Sequence, residues 1–244
     1  MDDYSEKTYG ERIAGVYDQW YSDFDPAAIQ ALAELAQGGD ALELGIGTGR
    51  IAIPLMNAGV TVHGIDASEP MVARLRAKPG GDKIPVSIGN FVDLPFDSKY
   101  SLIYVVFNTF YALLTQEEQI SCFQNVAKHL TREGVFVIEA FVPDMTRFVA
   151  GQTIRTIRIG ENELQIDASQ LEMDKQLITS QHVLMTQQGT QFFPVKIRYV
   201  WPSEMDLMAR LGHLQLRERW SNWEKARFTD LSGKHVSIYE HEKV

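Results

Sequence analysis

The 244-residue sequence predicts an α/β fold, in which a doubly wound Rossmann-like sheet, parallel except for an antiparallel last strand, carries an antiparallel β insertion. Three observations predict it. Short apolar runs alternate with segments of helical period across residues 41–141, which is typical of a parallel sheet with helices on both faces. Across residues 153–200 the helical period disappears and strand-like runs follow one another. The chain then returns to one helix and two strand-like runs.

The elements of the first half follow from their end signals. A helix is predicted over DPAAIQALAELA, because Asp25 can cap it and Pro26 suits the first helical position. After it come the strand ALEL, the helix TGRIAIPLMNAG with a kink expected at Pro54, the strand VTVHGID and the helix SEPMVARLRAK. The strands IPVSIGN and YSLIYVVF follow. Thr115 and Glu118 have capping-box spacing and open a helix before the strand GVFVIEAF.

The second half predicts an insertion. The four runs TIRTIRIG, ELQIDASQLEM, QLITSQHVLMT and QFFPVKIRYV read as antiparallel strands. We therefore expect N-terminal cap helices in residues 1–40, a ligand-binding sheet in residues 41–143 and 201–244, and a β insertion over the substrate site in residues 144–200. The insertion is also a candidate homodimer interface.

Composition narrows the class of ligand. A net charge of −9 repels phosphate backbones, so we expect no nucleic acid as a partner. No apolar run of about 18 residues occurs, so we expect no membrane span. The single cysteine, Cys122, forms no internal disulfide and fits a cytoplasmic location. A small molecule is the expected substrate.

The stretch ALELGIGTGR, residues 41–50, predicts a cofactor site. Glycines allow a tight turn and bring the backbone close to a ligand. GTGRIA also fits a dinucleotide pattern, so a nicotinamide-dependent oxidoreductase is one alternative. Glu43 favours a cationic amino group over a pyrophosphate. Asp66 can accept hydrogen bonds from ribose hydroxyls, and Asn90 with Phe91 offers contacts for a purine.

Over residues 41–141 the chain resembles the class I S-adenosylmethionine-dependent methyltransferases. Five strings match in order and spacing: LELGIGTGR, GIDASEPM, GNFVDLPF, YSLIYVVFNTF and HLTREGVFVIEAF. The later layout resembles the branch that methylates small molecules, with the sugar-amine and glycine N-methyltransferases. The resemblance implies in-line methyl transfer from S-adenosylmethionine to an amine or hydroxyl of a small molecule, in specialised metabolism. A protein that binds the cofactor without transferring methyl is the second alternative.

The resemblance also implies roles for individual residues. It places the glycine loop at the methionine part of the cofactor, Asp66 at the ribose and Ala67 with Met71 beside the adenine. The residues implied to bind the cofactor are Tyr17, Glu43, Gly45, Ile46, Gly47, Gly49, Asp66, Ala67, Met71, Asn90, Phe91, Phe107 and Asn108.

Acceptor-side residues are expected at strand ends and in covering segments. Glu139 ends the fifth strand and is the first candidate for a base or an amine anchor, with Tyr17 and Tyr111 as further catalytic candidates. The expected substrate-binding residues are Tyr21, Asn108, Tyr111 and Arg198. His182 and His213 are weaker candidates. No metal is expected, because VVFNTF and EAFVPD lack the acidic cluster of the catechol-type enzymes.

Overall fold

The protein is described here by a computed structural model that covers residues 4–242. The first three residues of the expected cap segment and the last two of the chain lie outside the described residues. The helices are α1 (Thr8–Ile13), α2 (Tyr17–Trp20), α3 (Pro26–Ala36), α4 (Ala52–Asn57), α5 (Glu69–Arg76), α6 (Gln116–His129) and α7 (Pro202–Leu211).

The strands form two sheets. In chain order they are β1 (Ala41–Leu44), β2 (Val62–Asp66), β3 (Val86–Ile88), β4 (Tyr100–Val105), β5 (Leu130–Phe141), β6 (Gln152–Ile159), β7 (Glu163–Glu172), β8 (Leu177–Thr186), β9 (Gly189–Arg198), β10 (Leu214–Trp220) and β11 (Lys234–His241). The first sheet has the order β10-β11-β5-β4-β1-β2-β3, and the second has the order β6-β7-β8-β9.

The first sheet confirms the predicted fold class. Strands β3, β2, β1, β4 and β5 are parallel, whereas β11 runs antiparallel to β5. Strand β1 lies between β2 and β4, so the strand order reverses there. In open α/β sheets this is where ligands bind, beyond the carboxyl ends of the strands.

The predicted caps are present. The Asp25 carboxylate accepts a hydrogen bond from the Ala27 N–H at 2.9 Å, and Thr115 with Glu118 forms a capping box at the start of α6. Helix α4 is shorter than expected because the glycine loop before it is not helical. The kink expected at Pro54 is wrong, since Pro54 lies in the first turn of α4, where no helical hydrogen bond is lost.

Apolar side chains fill both faces of the first sheet. On one face Phe123 of α6 packs against Phe136 and Tyr239, with ring centroids about 5.4 Å apart. On the other face Leu32 of α3 and Leu55 of α4 belong to a second buried cluster. The sheet is therefore a rigid base for the loops at its carboxyl edge.

The second sheet is an antiparallel meander inserted between β5 and α7. The buried Tyr111 hydroxyl lies where the chain leaves and returns, and donates toward the carbonyl oxygens of Phe141 at 2.8 Å and Val200 at 3.0 Å. Helix α1 contacts both α5 and β9, so it spans the two sheets. Within residues 4–242, no helix is long and apolar enough to cross a membrane.

Candidate active site

A cavity of approximately 650 Å³ lies at the carboxyl ends of β1, β2 and β4. Its walls come from three parts of the chain: the loops of the first sheet, the N-terminal helices, and one face of the second sheet. A cavity of this volume is in the range of small-molecule sites.

The loop after β1 brings bare backbone to the cavity. Gly45 has φ 71° and Gly47 has φ 55°, a left-handed conformation that favours glycine. A methyl group on Gly45 would lie 2.5 Å from Thr109 Cγ2, which no real side chain tolerates. The Gly45 N–H donates to the Ile65 carbonyl oxygen at 2.8 Å and ties the loop to β2.

Asp66 ends β2 and holds two loops together. One carboxylate oxygen accepts from the Gly47 N–H at 2.7 Å, and the other accepts from the Ser68 N–H at 2.8 Å. Burial raises the pKa of Asp66, and these two hydrogen bonds oppose the rise. The side chain also faces the cavity, so the same carboxylate that shapes the loops is available to a ligand.

Glu43 is a buried acid at the cavity wall. It is 3% exposed, and the Tyr104 hydroxyl donates to its Oε2 at 2.9 Å. Burial raises the pKa of Glu43 from 4.5 to about 8, against the opposing effects of that hydrogen bond and of Arg50. A cationic group bound beside Glu43 would favour the ionised form and lower this pKa. The wall is therefore suited to an ammonium group.

Arg50 supplies the complementary charge. Its Nη1 donates to the Asp23 carbonyl oxygen at 3.0 Å, and its guanidinium lies 4.4 Å from the centre of the Phe107 ring. Its Nε is buried and has no hydrogen-bond partner among the described residues. A buried donor without an acceptor is costly and indicates a ligand acceptor at this wall. Glu43 and Arg50 together fit the amino and carboxylate groups of an amino-acid moiety.

The loop after β4 completes this end of the cavity. Phe107 and Asn108 both have positive φ, 57° and 66°. The end of β5 holds them there: the Asn108 side-chain oxygen accepts from the Phe141 N–H at 2.7 Å, and the Asn108 N–H donates to the Glu139 carbonyl oxygen at 3.1 Å. Tyr21 packs edge-on against Phe107, with ring centroids 5.1 Å apart.

Comparison with known proteins identifies the fold and the cofactor. Residues 41–134 match the methyltransferase domain family. The structure of the CcbJ methyltransferase from Streptomyces caelestis is 36% identical and superposes with a TM-score of 0.91, over 98% of this chain and 100% of that chain. The chain belongs to the S-adenosylmethionine-dependent methyltransferases.

A sequence relative agrees with this assignment, and a more distant structure shares the fold. A cypemycin N-terminal methyltransferase from a Streptomyces species is 28% identical over 182 residues, which are 73% of this chain and 74% of that protein. An S-adenosylmethionine-dependent methyltransferase from Clostridium acetobutylicum shares the fold with a TM-score of 0.78 at 14% identity, over 95% of this chain and 98% of that chain. The cofactor is S-adenosylmethionine, and the nicotinamide alternative is set aside.

The structure of this methyltransferase brings most of the predicted site residues to one cavity. Those on its wall are Tyr17, Tyr21, Glu43, Gly45, Ile46, Gly47, Asp66, Ala67, Met71, Asn90, Phe91, Phe107 and Asn108. The Asn90 side-chain oxygen also accepts from the Val92 N–H at 3.0 Å, so part of its capacity is used by its own turn. These residues share one cavity wall, as residues that bind a single ligand must.

Gly49 is away from the cavity wall, contrary to its assignment as a cofactor contact. Its φ is 76°, and a methyl group there would lie 3.0 Å from the Leu75 side chain. Gly49 therefore lets the loop pack closely against α5.

Glu139 does not fit the role of base. The Trp223 indole donates to its Oε1 at 3.0 Å, and the Phe107 N–H donates to its Oε2 at 3.1 Å. Lys234 lies 3.7 Å from Oε1. Both oxygens are engaged and the residue is outside the cavity wall, so the carboxylate supports the Phe107 loop from behind.

Tyr111 and Arg198 are also placed away from the acceptor. The Tyr111 hydroxyl bonds the backbone at both ends of the segment that forms the second sheet, at Phe141 and Val200. Burial raises the pKa of this tyrosine above its usual value. The buried Arg198 side chain donates hydrogen bonds to Gln119 and Gln176 and forms an ion pair with Glu204, with its Nη2 2.8 Å from Glu204 Oε1. Neither the catalytic assignment of Tyr111 nor the substrate-binding assignment of either residue agrees with these positions.

Sequence reasoning missed most of the wall that the second sheet provides. Arg155, Asp167, Ser180 and His182 face the cavity, and only His182 was considered, as a weak candidate. The signal is alternation in β7, where Gln165, Asp167 and Ser169 are polar and the residues between them are apolar. In β8 four consecutive polar residues hide it.

Proposed function

We propose that this methyltransferase transfers the methyl group of S-adenosylmethionine to an amine of a polar small molecule, in specialised metabolism, with a hydroxyl as the alternative acceptor. The observation that carries the proposal is a shared cavity. Glu43 and Arg50 line one part of it, and polar side chains of the second sheet, among them Asp167 and His182, line another. A donor and an acceptor can therefore meet in one enclosed space.

The residues of the first sheet would hold the cofactor. Glu43 and Arg50 would bind its amino-acid end, Asp66 would accept hydrogen bonds from its ribose, and Phe91 with Met71 would flank its adenine. When bound, the cofactor supplies an electrophilic methyl group on a sulfonium sulfur. The protein must align the acceptor with that group and keep water out, and Tyr17 and Tyr21 cover the cavity from the N-terminal side.

A relative supports an amine as acceptor. The cypemycin N-terminal methyltransferase, by its name, acts on an N-terminus, which is an amine. The acceptor wall of the present chain suits a polar molecule, because it carries two arginines, a lysine and an aspartate: Arg147, Arg155, Lys196 and Asp167.

The test is product formation with a defined set of acceptors. The protein is incubated with S-adenosylmethionine and a panel of primary and secondary amines, amino sugars and hydroxyl compounds, and S-adenosylhomocysteine is measured. We expect acceptor-dependent product with amines, and none when an N-acetylated amine replaces its parent. Binding of S-adenosylhomocysteine by calorimetry runs in parallel. Cofactor binding without product from any acceptor would contradict the proposal.

We also propose that the second sheet joins two copies of the chain. Edge strand β6 is unpaired on its outer side within the described chain, and Ile154 and Ile159 are 74% and 78% exposed on the face opposite Asp167. We expect a dimer in sedimentation experiments and a monomer for a variant with Asp at both positions. A monomeric wild-type protein would contradict this.

A further inference from the structure

A row of charged side chains crosses the second sheet on the face that lines the cavity. Strand register pairs Arg155 of β6 with Asp167 of β7, and Asp167 with His182 of β8. All three line the cavity. The next residue of the row is Phe193 of β9, which packs against Trp20 with ring centroids 4.8 Å apart. The row therefore ends against the N-terminal helices.

Asp167 is held firmly in this row. It is 5% exposed, and Arg155 Nη2 lies 3.1 Å from its Oδ2. The Ser169 hydroxyl donates to its Oδ1 at 3.0 Å and shares a 2.6 Å hydrogen bond with the Ser180 hydroxyl. Two donors therefore hold the Asp167 carboxylate in place as a fixed negative charge on the cavity wall.

His182 is the nearby base whose protonated form the Asp167 charge can stabilise. Its Nε2 lies 3.9 Å from Asp167 Oδ1, too far for a hydrogen bond and close enough for strong attraction once the ring is protonated. Its Nδ1 is buried without a hydrogen-bond partner among the described residues. Burial lowers the pKa of His182, with Arg155 acting in the same direction and Asp167 against it. The ring is therefore neutral at pH 7 and able to take up a proton.

The row adjoins the end of the cavity that carries Glu43. Burial raises the pKa of Tyr21. The charge of Asp167 raises it further, and the charge of Arg50 lowers it. Tyr17 in turn senses Arg50 and Glu43. Asp167 and Glu43 line the same cavity as these two tyrosines, whose ring centroids are 5.1 Å apart. The raised pKa values keep both tyrosines protonated at neutral pH, so they do not compete with His182 as bases.

We propose that His182, stabilised in its protonated form by the charge of Asp167, removes the proton from the acceptor amine before methyl transfer. The inference rests on the proposed function. One N–H bond of the substrate ammonium breaks, its electron pair stays on the substrate nitrogen, and the proton binds to Nε2 of His182. The imidazolium then forms an ion pair with Asp167, and the free amine can attack the methyl group. The proton leaves to solvent when the product departs.

Other charged groups near Asp167 and His182 also affect how readily His182 is protonated. Arg155 neutralises part of the Asp167 charge on β6, and Arg147, in the turn before that strand, senses both of them. From the N-terminal side, Tyr21 is the titratable group that senses Asp167. The residue opposite His182 on β9 is the apolar Phe193. The aspartate is therefore the negative charge that favours a protonated His182.

The kinetic test compares His182→Gln with wild type, using an amine that the wild type methylates. We expect kcat at pH 7 to fall about 100-fold, within the usual range for loss of a general base, while the KM for the amine changes less than threefold. The loss should shrink toward pH 10, where the amine is already deprotonated in solution. His213→Asn is the matched control. Although His213 is a weaker candidate from the sequence, it is exposed and does not line the cavity, so the variant should retain wild-type kinetics.

A second measurement does not depend on turnover. The imidazole resonance of His182, assigned by its absence in His182→Gln, is titrated by NMR in wild type and in Asp167→Asn. We expect the pKa of His182 to lie below 6.5 and to fall further in Asp167→Asn, because the attractive charge is removed. If the pKa of His182 is the same in Asp167→Asn as in wild type, the proposed action of Asp167 on His182 is overturned.

The two proposals fail in different ways. If wild type forms product and His182→Gln has the same kcat and pH profile, the base assignment is overturned and the proposed function stands. If no amine is methylated while a hydroxyl compound is, the amine proposal and this proton transfer both fail. Calorimetry with S-adenosylhomocysteine should give equal affinity for wild type and His182→Gln. A large loss of that affinity would assign His182 to cofactor binding and overturn the inference.

Discussion

The two walls of the cavity are built in different ways. The cofactor wall consists of loops that follow single strands, and backbone groups make much of it: Gly45 and Gly47 at positive φ, with the Gly47 N–H bonded to Asp66. The second-sheet wall consists of side chains that meet only because neighbouring strands pair in one register, as Asp167 and His182 do. The first wall is a local property of the sequence, and the second is a property of the assembled sheet.

The largest expected effect is a loss of stability when Arg198, which supports the second sheet, is replaced. Arg198 is 6% exposed and bonds Gln119, Gln176 and Glu204. Arg198→Met leaves the Glu204 charge without its partner and should lower the free energy of unfolding by about 3–5 kcal/mol. Denaturant unfolding measures this. The control Arg158→Met removes an exposed ion pair with Glu163 and should cost less than about 1 kcal/mol. Equal losses would contradict the assignment of Arg198 as a structural anchor.

A backbone change should disable the cofactor wall. Gly45→Ala forces a methyl group against Thr109 at a φ of 71°. We expect S-adenosylhomocysteine affinity to fall by about 2–3 kcal/mol, measured by calorimetry, since the loop must move. The control is Gly59→Ala, which has φ 95° but nothing within 4 Å of the added methyl. It should destabilise the fold slightly and leave affinity unchanged; a similar loss of affinity there would mean that strain alone, not the cavity, is responsible.

Cofactor binding should displace a proton from Glu43. Its pKa of about 8 keeps the acid protonated at pH 7, and a bound ammonium group lowers that pKa. Calorimetry of S-adenosylmethionine binding in buffers of different ionisation enthalpy should show release of up to about one proton at pH 7. Glu43→Gln should release none and bind about 1–2 kcal/mol more weakly.

The same acid affects stability. Because the folded pKa of Glu43 exceeds its unfolded value of 4.5, its contribution to stability is fully present below pH 4.5 and is lost as the pH rises through 8. The free energy of unfolding should therefore decline more between pH 5 and 8 in wild type than in Glu43→Gln. Parallel curves would show that Glu43 ionises normally in the folded protein.

The smallest effect should be that of Glu139→Gln. The amide keeps one acceptor oxygen for either Trp223 or Phe107 but not both, which should cost about 1 kcal/mol of stability. Turnover should fall only modestly and keep its pH profile. Loss of turnover in Glu139→Gln, with an unchanged free energy of unfolding, would instead indicate that Glu139 is a catalytic residue.

The fold and the cofactor wall could be predicted because their signals lie in short stretches of sequence. The cap at Asp25 acts two residues away, and Gly45 to Gly47 with the strand before them form one motif. Glu43 belongs to the same short stretch, and its place on the cavity wall follows from its position near the end of β1.

The errors share a physical cause. Glu139 stands at a strand end, as a catalytic acid would, but its partner Trp223 lies 84 residues away in sequence. Arg198 is expected from the sequence to bind substrate, but its partner Gln119 is 79 residues distant. The contact between the Arg50 guanidinium and the Phe107 ring also joins residues that are far apart in sequence. Such pairings depend on tertiary packing, which sequence periodicity does not encode.

The hydroxyl of Tyr111 has a consequence for evolution. It binds the backbone just before the second sheet begins and just after it ends, so both ends of this segment meet at one point on the first sheet. A segment whose ends already lie together can be exchanged with little cost in chain ordering. Recombination of one contiguous stretch of gene, between the codons for Phe141 and Val200, would replace the whole second-sheet wall of the cavity and leave the glycine motif intact. New acceptor specificities can thus arise in this lineage by cassette exchange as well as by point mutation.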